Sequence, residues 1–205
     1  MKITLEKSIV NLNESRFKET SHHLVVLADG AKKFPFESLL MAKLSRINKK
    51  IESLKEDPVV SELDNGTLIS WVIANEDMNS FQRHTHLRKA FMPLAKENPK
   101  TVSLHFYFSG PKQSEWVEST TYVALLNSQD LPSLKKEAKP THLKYLKLYG
   151  INSKTDLTKV EALVSGNTLT RQLTMTPPND LTPTIYREKI KKLAQKNRWK
   201  HEEFS

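Results

Sequence analysis

Seven histidines are the side chains in this sequence best suited to moving protons or holding a metal ion, and those adjacent in sequence point to different faces. His22 and His23 begin a short apolar run, where consecutive side chains of a strand point to opposite faces. His84 and His86 lie two apart in a segment of helical periodicity, where i and i+2 do not share a face. A zinc site on a helix needs histidines at i and i+4, or cysteine pairs, and the chain has no cysteine. That absence also removes disulfides, thiolate metal sites and a cysteine nucleophile. No Gly-x-Ser-x-Gly elbow presents a serine, and no cluster of carboxylates suited to bridging two divalent ions is visible. Gly30, Gly66, Gly110, Gly150 and Gly166 all stand singly. A loop that cradles a diphosphate instead groups its glycines so that backbone amides can approach. The reading is of a chain with no catalytic, metal-binding or cofactor-binding residue of its own.

The most informative segment runs from Gly166 to Pro183, Gly-Asn-Thr-Leu-Thr-Arg-Gln-Leu-Thr-Met-Thr-Pro-Pro-Asn-Asp-Leu-Thr-Pro. Pro177 pushes Thr176 out of the helical region, and Pro178 has no amide to donate, so a preceding helix must stop there. Two prolines in succession favour a stiff, extended piece of chain. Asn179 and Asp180 turn the backbone by local hydrogen bonds. Thr182 is a good N-cap and Pro183 fits the first helical position. A helix over 183–197 follows, with Tyr186, Ile190, Leu193 and Ala194 on one face. The design is helix, rigid spacer, helix. Beyond it, Trp199 to Phe204 is expected to begin a first strand of another domain.

This segment resembles the one that joins the N-terminal and catalytic domains in the leucyl (cytosol) aminopeptidase family. Gly166, Arg171, Leu173, Pro177, Pro178, Asn179, Leu181, Thr182 and Pro183 carry the likeness, while Met175 and Gln172 depart from the usual Asn and acidic residue. The resemblance implies a macro-like N-terminal α/β domain of a metallo-exopeptidase that removes N-terminal amino acids from peptides. It also implies two divalent ions, Zn or Mn, in the catalytic domain, and a homohexamer. The family's Asn-Thr-Asp-Ala-Glu-Gly-Arg motif and its glycine-rich metal-binding segment do not occur in these 205 residues. The chain alone is therefore expected to be inactive, positioning the catalytic domain and shaping access to the active sites. The linker residues Arg171, Pro177, Pro178, Asn179, Asp180, Thr182 and Pro183 are given structural roles. For Arg171 that role is a salt bridge or a cap on nearby carbonyls.

The elements ahead of the linker read as alternating strands and helices. Residues 22–28 form a buried strand closed by Asp29-Gly30. Leu40, Leu44, Ile47, Ile51 and Leu54 mark an amphipathic helix ending near Asp57-Pro58. Thr67 to Ala74 is apolar on both faces, as a central strand is when helices cover each side, and Trp71 belongs to its packing. Asn79 or Ser80 caps a helix with Phe81, His84, Leu87, Phe91 and Leu94 on one stripe, which Pro93 bends or ends. Thr101 to Phe108 alternates as a strand, with Tyr107 as a packing residue. A helix over 114–128, a strand over 141–149 and a helix over 155–175 complete the series. The last helix uses Leu157, Val160, Leu163, Val164, Leu169 and Leu173. The order predicts a three-layer α/β fold, a mixed and mainly parallel sheet with helices on both faces, then a linker helix. The boundaries are 1–170 for the α/β domain and 171–205 for the linker, its helix and the start of an absent catalytic domain.

Charge sets the alternative. The net charge is +9, of which Arg187, Lys189, Lys191, Lys192, Lys196, Arg198 and Lys200 against Glu188, Glu202 and Glu203 supply +4. A basic C-terminal face of this kind permits a nucleic-acid-binding or protein-interaction module without enzymatic role. The N-terminus has a glutamate where a secretory signal needs its apolar run. No stretch approaches the roughly 20 apolar residues of a membrane helix. A cytoplasmic protein with no membrane partner is the expectation.

Overall fold

Strands rich in β-branched and aromatic residues organise the described part of the computed structural model, which comprises residues 3–107, 110, 112–132, 141–152 and 154–203. They are β1 (Thr4–Ser8), β2 (His22–Leu27), β3 (Val59–Glu62), β4 (Leu68–Ile73), β5 (Thr101–Tyr107) and β6 (Tyr145–Tyr149). Their order in one six-stranded sheet is β1-β6-β5-β2-β4-β3. Only β3 is antiparallel, to β4; the other pairings are parallel. The helices are α1 (Glu14–Phe17), α2 (Glu37–Arg46), α3 (Ser80–Lys96), α4 (Gln113–Asn127), α5 (Thr158–Met175) and α6 (Pro183–Asn197).

The period-2 alternation of β2 feeds two cores. Leu24 and Val26 join Leu87 and Phe91 of α3, Trp116 and Val117 of α4, and Val160 and Val164 of α5. Val25 and Leu27 join Phe17 of α1, Leu40 and Leu44 of α2, and Leu54. Every residue of β2 is buried, as a strand covered on both faces must be. The expected three-layer, mainly parallel α/β fold is the one observed.

The described residues fall into two compact units, one within Met1–Asp130 and Lys139–Ser165, the other within Leu131–Ala138 and Gly166–Ser205. The division between them falls inside α5. Among the described residues, no helix is long and apolar enough to cross a membrane.

Several expectations change. The helix read from Leu40 to near Asp57-Pro58 is two pieces, because Asn48 takes a left-handed φ of 54° and the Lys49 amide turns back to the Leu44 carbonyl at 3.0 Å. A 3-10 turn over Ile51–Lys55 follows, and Leu54 still reaches the core while Ile47 does not. Phe81, placed on the core stripe of α3, is 79% exposed. It sits in the first turn, ahead of the packed face that begins at His86 and Leu87. Leu163 is exposed as well, since Val160 and Val164 alone occupy the buried stripe of α5. Pro93 does not end α3, which runs on to Lys96. Asn98 stops the chain beyond it with a φ of 52°, a left-handed conformation that Asn tolerates after a helix. β1, α1 and β3 were not anticipated. Phe108 and Phe204 lie outside the described residues.

Candidate functional site

The joint expected from the sequence is a turn rather than an extended spacer. α5 ends at Met175, and the Thr176 hydroxyl donates to the Gln172 carbonyl at 2.6 Å. Pro177 then accepts from the amides of Asp180 and Leu181 at 2.9 and 3.0 Å. Pro178 and Asn179 therefore occupy the corner of a hydrogen-bonded turn, where the fixed φ of proline is already correct. Two prolines persist as an extended rod only when no downstream amide folds back on them, and here two do. Thr182 caps α6, its hydroxyl accepting from the Ile185 amide at 3.4 Å, and Pro183 fills the first helical position. The structure thus brings Pro177, Pro178, Asn179, Asp180, Thr182 and Pro183 into one continuous turn-and-cap. Arg171 lies upstream on α5, half-buried.

α6 covers the interval read from the sequence. Arg198 closes it in a left-handed conformation (φ 56°), with the Trp199 amide donating to the Ala194 carbonyl at 2.9 Å. Residues 199–203 form no strand. They run back toward α6 instead, and Glu203 meets the Arg187 guanidinium at 2.6 Å. Tyr186 and Ile190, on the apolar face of α6, are 43% and 41% exposed.

A second constellation was not visible in the sequence. His23 and His105, 82 residues apart, face each other across β2 and β5 with Nδ1 and Nε2 at 2.9 Å. His23 Nε2 lies 2.9 Å from the Phe17 carbonyl and 2.7 Å from the Thr20 carbonyl. Two carbonyls can only accept, so His23 carries its proton on Nε2 and accepts at Nδ1. His105 must then donate from Nε2, which leaves its Nδ1 as a buried acceptor without a partner among the described residues. Phe17 stacks on both rings at 4.4 Å, and Tyr149 stacks on His105 at 5.0 Å. Burial pulls the His23 imidazole down to about 4 and holds His105 well below the usual value. Both rings are neutral at pH 7. The one sequence signal for them is that His105 alternates with Leu104 and Phe106, which puts it on the side of Ser103 and Tyr107.

His22 and His23 do diverge as expected: His22 Nε2 meets Glu97 at 2.8 Å on the opposite side. His84 and His86 diverge too. His84 lies against Tyr122 with centroids 5.0 Å apart, while His86 Nδ1 is 3.2 Å from the Glu56 carbonyl. Among the described residues, no three His, Asp or Glu side chains converge as a metal-ligand set. Trp71 is fully buried, and Tyr107 is half-buried with its hydroxyl 3.3 Å from the Leu12 carbonyl.

In open α/β sheets, ligands favour the crevice beyond the C-terminal ends of strands whose following helices lie on opposite faces. Here those strands are β2, followed by α2, and β5, followed by α4. Asn11 and Leu12 cross beside that position. Asn11 donates to the Phe106 carbonyl at 3.1 Å. A Cβ on Gly150 would lie 2.5 Å from that oxygen and from the Asn11 amide nitrogen, and its φ is +75°. Gly150 therefore serves close packing of the chain against itself.

No protein-family model matches the sequence, and no curated protein matches it by sequence. Solved structures do match. A tomato leucine aminopeptidase mutant aligns with a TM-score of 0.69 at 17% identity, over 95% of this chain and 42% of that one. The bottromycin maturation enzyme BotP in complex with Mn aligns with a TM-score of 0.60 at 15% identity, over 86% of this chain and 36% of its own. A second BotP structure gives 0.61 at 15% identity, with 87% and 38% covered. The chain spans less than half the length of each. The likeness agrees with the resemblance read in residues 166–183: over 95% of its length, this chain has the α/β fold found in 42% of a leucine aminopeptidase.

Proposed function

We propose that the chain is the non-catalytic N-terminal domain and joint of a leucyl aminopeptidase-like metallo-exopeptidase, whose peptide chemistry belongs to a body outside these residues. The observation that carries this reading is the fold shared over nearly the whole chain with less than half of the tomato enzyme. The turn-and-cap from Pro177 to Pro183 supports it, since a turn locked at both ends fixes how a following body leaves α5. Tyr186 and Ile190 support it as well, because contiguous apolar side chains on one helix face favour burial by a partner surface. The domain's role is to position the catalytic body and shape access to its sites. Two divalent ions, Zn or Mn, would be held by that body, and the whole would assemble as a homohexamer acting on peptides in the cytoplasm. An antibody raised against the 205-residue chain tests the reading. In extracts of the source cells it should detect a polypeptide more than twice 23.6 kDa; a band at 23.6 kDa alone would count against the proposal.

A further inference from the structure

Asn65 and Gly66 form the tip of the β3–β4 hairpin, and both are exposed. The Gly66 amide donates to the Leu63 carbonyl at 2.9 Å, and the Leu63 amide donates to the Thr67 carbonyl at 2.8 Å. Gly66 takes a left-handed φ of 81°, so the loop is a turn closed by a glycine bulge. Asn65 Oδ1 accepts from the Thr67 amide at 3.3 Å. The ring that this bond closes contains the Gly66 nitrogen, so the carboxamide carbon of Asn65 is kept beside that nitrogen.

A backbone nitrogen in that position can attack the side-chain amide. Gly66 N forms a bond to Asn65 Cγ, the Cγ–N bond of the carboxamide breaks, and the backbone proton leaves with the departing ammonia. A cyclic imide remains, and water opens it at either carbonyl. One opening leaves aspartate; the other leaves isoaspartate, whose main chain runs through the side-chain carbon. The glycine leaves the approach unhindered, and a Cβ there would meet only Glu62 Oε1, at 3.8 Å. Every other asparagine of the chain precedes a residue that carries a Cβ. Asn79 is further held in the capping box of α3, and Asn127 by its bond to the Val123 carbonyl at 2.8 Å. The Gly66 nitrogen is engaged by Leu63, so the turn must open before it reacts. That opening is local, because the loop ends a four-residue strand at the edge of the sheet.

We propose that Asn65 is a site of spontaneous deamidation, and that its isoaspartate product loosens β3. Either product adds a carboxylate beside the exposed Glu62 and Asp64. Isoaspartate also lengthens the main chain of the turn that sets the register of β3 on β4, from Glu62 opposite Leu68 to Val59 opposite Trp71. Among the described residues, β3 pairs with no other strand that could hold it in place. The inference rests on no peptidase reading of the chain.

The test incubates the 205-residue protein at pH 8.0 and at pH 5.0 and follows isoaspartate by peptide mapping and by methyl transfer from labelled S-adenosylmethionine with a protein isoaspartate methyltransferase. Isoaspartate should form at position 65 before any other asparagine, and faster at pH 8.0, since the nitrogen reacts once it has lost its proton. Asn65→Gln should remove the early methyl acceptance. The isoaspartate form, separated by its added charge, should exchange the Leu63 amide about tenfold faster than the starting protein, with β2 amides unaffected. Fresh Asn65→Asp, which has the charge without the longer main chain, should stay within about twofold of the starting protein. Isoaspartate forming first elsewhere, or methyl acceptance that survives Asn65→Gln, overturns the site. Equal exchange at Leu63 in the isoaspartate form and in Asn65→Asp overturns the effect on β3.

Discussion

The His23–His105 pair places two neutral rings in a dry interior, where their hydrogen bonds dictate a single tautomer for each. Adding a proton to His105 Nδ1 puts a donor where no acceptor waits, and adding one to His23 forces two N–H groups together. The consequence for stability has a sign. The folded His23 titrates near 4 against 6.5 for the free side chain, so between those values the unfolded chain binds the extra proton. Stability contributed by the pair is present above pH 6.5 and is lost as pH falls toward 4, by an amount on the order of a few kcal/mol. Urea unfolding at pH 7.5 and pH 5.0 should show the midpoint falling on acidification. In the His23→Phe/His105→Phe variant the midpoint should be lower at pH 7.5 but less dependent on pH. It will not be independent, because burial also depresses His84 and His86. An unchanged pH dependence in the variant would contradict the assignment. None of this pairing was legible in the sequence. A contact 82 residues apart requires strand order, and a single histidine in an alternating strand reads as an ordinary half-buried side chain.

At the scale of elements, the readable features were those that local chemistry decides. Thr182 and Pro183 set the start of α6, and the structure begins that helix where the two residues say it must. Asn79 does the same for α3 through a reciprocal capping box with Gln82. What stayed hidden depends on partners distant in sequence. β1, with its Glu6 and Lys7, carries no strand signal of its own and exists because β6 pairs with it. β3 likewise depends on β4. The diproline was misread for a related reason: a rod and a turn begin with the same φ, and the amides of Asp180 and Leu181 choose between them. The cap gives a prediction at this scale. Thr182→Ala removes the acceptor of the Ile185 amide and should cost about 1 kcal/mol locally. Hydrogen exchange at Ile185 should then speed up roughly fivefold, with β2 and β5 amides unaffected. Unchanged exchange at Ile185 would mean that the turn alone holds the start of α6.

For the whole molecule, the fold and the chemistry point the same way. The sheet and its two helical layers bury large side chains such as Trp71, Trp116, Phe91 and Phe106, and the buried histidines are sealed beneath Phe17 and Tyr149. The pair orders α1 on the sheet, because His23 bonds to the carbonyls of Phe17 and Thr20. The remaining uncovered apolar surface includes Tyr186 and Ile190 on α6, beyond the turn that the sequence marked most clearly. Under the proposed function these 205 residues hold a peptidase body in place and do not themselves cut peptides. The direct measurement is release of 4-nitroaniline from L-leucine 4-nitroanilide by the purified chain with Mn²⁺ or Zn²⁺ added. The account predicts a rate equal to that of the metal-containing buffer. Metal-dependent release proportional to protein concentration, and abolished by a chelator, would contradict it.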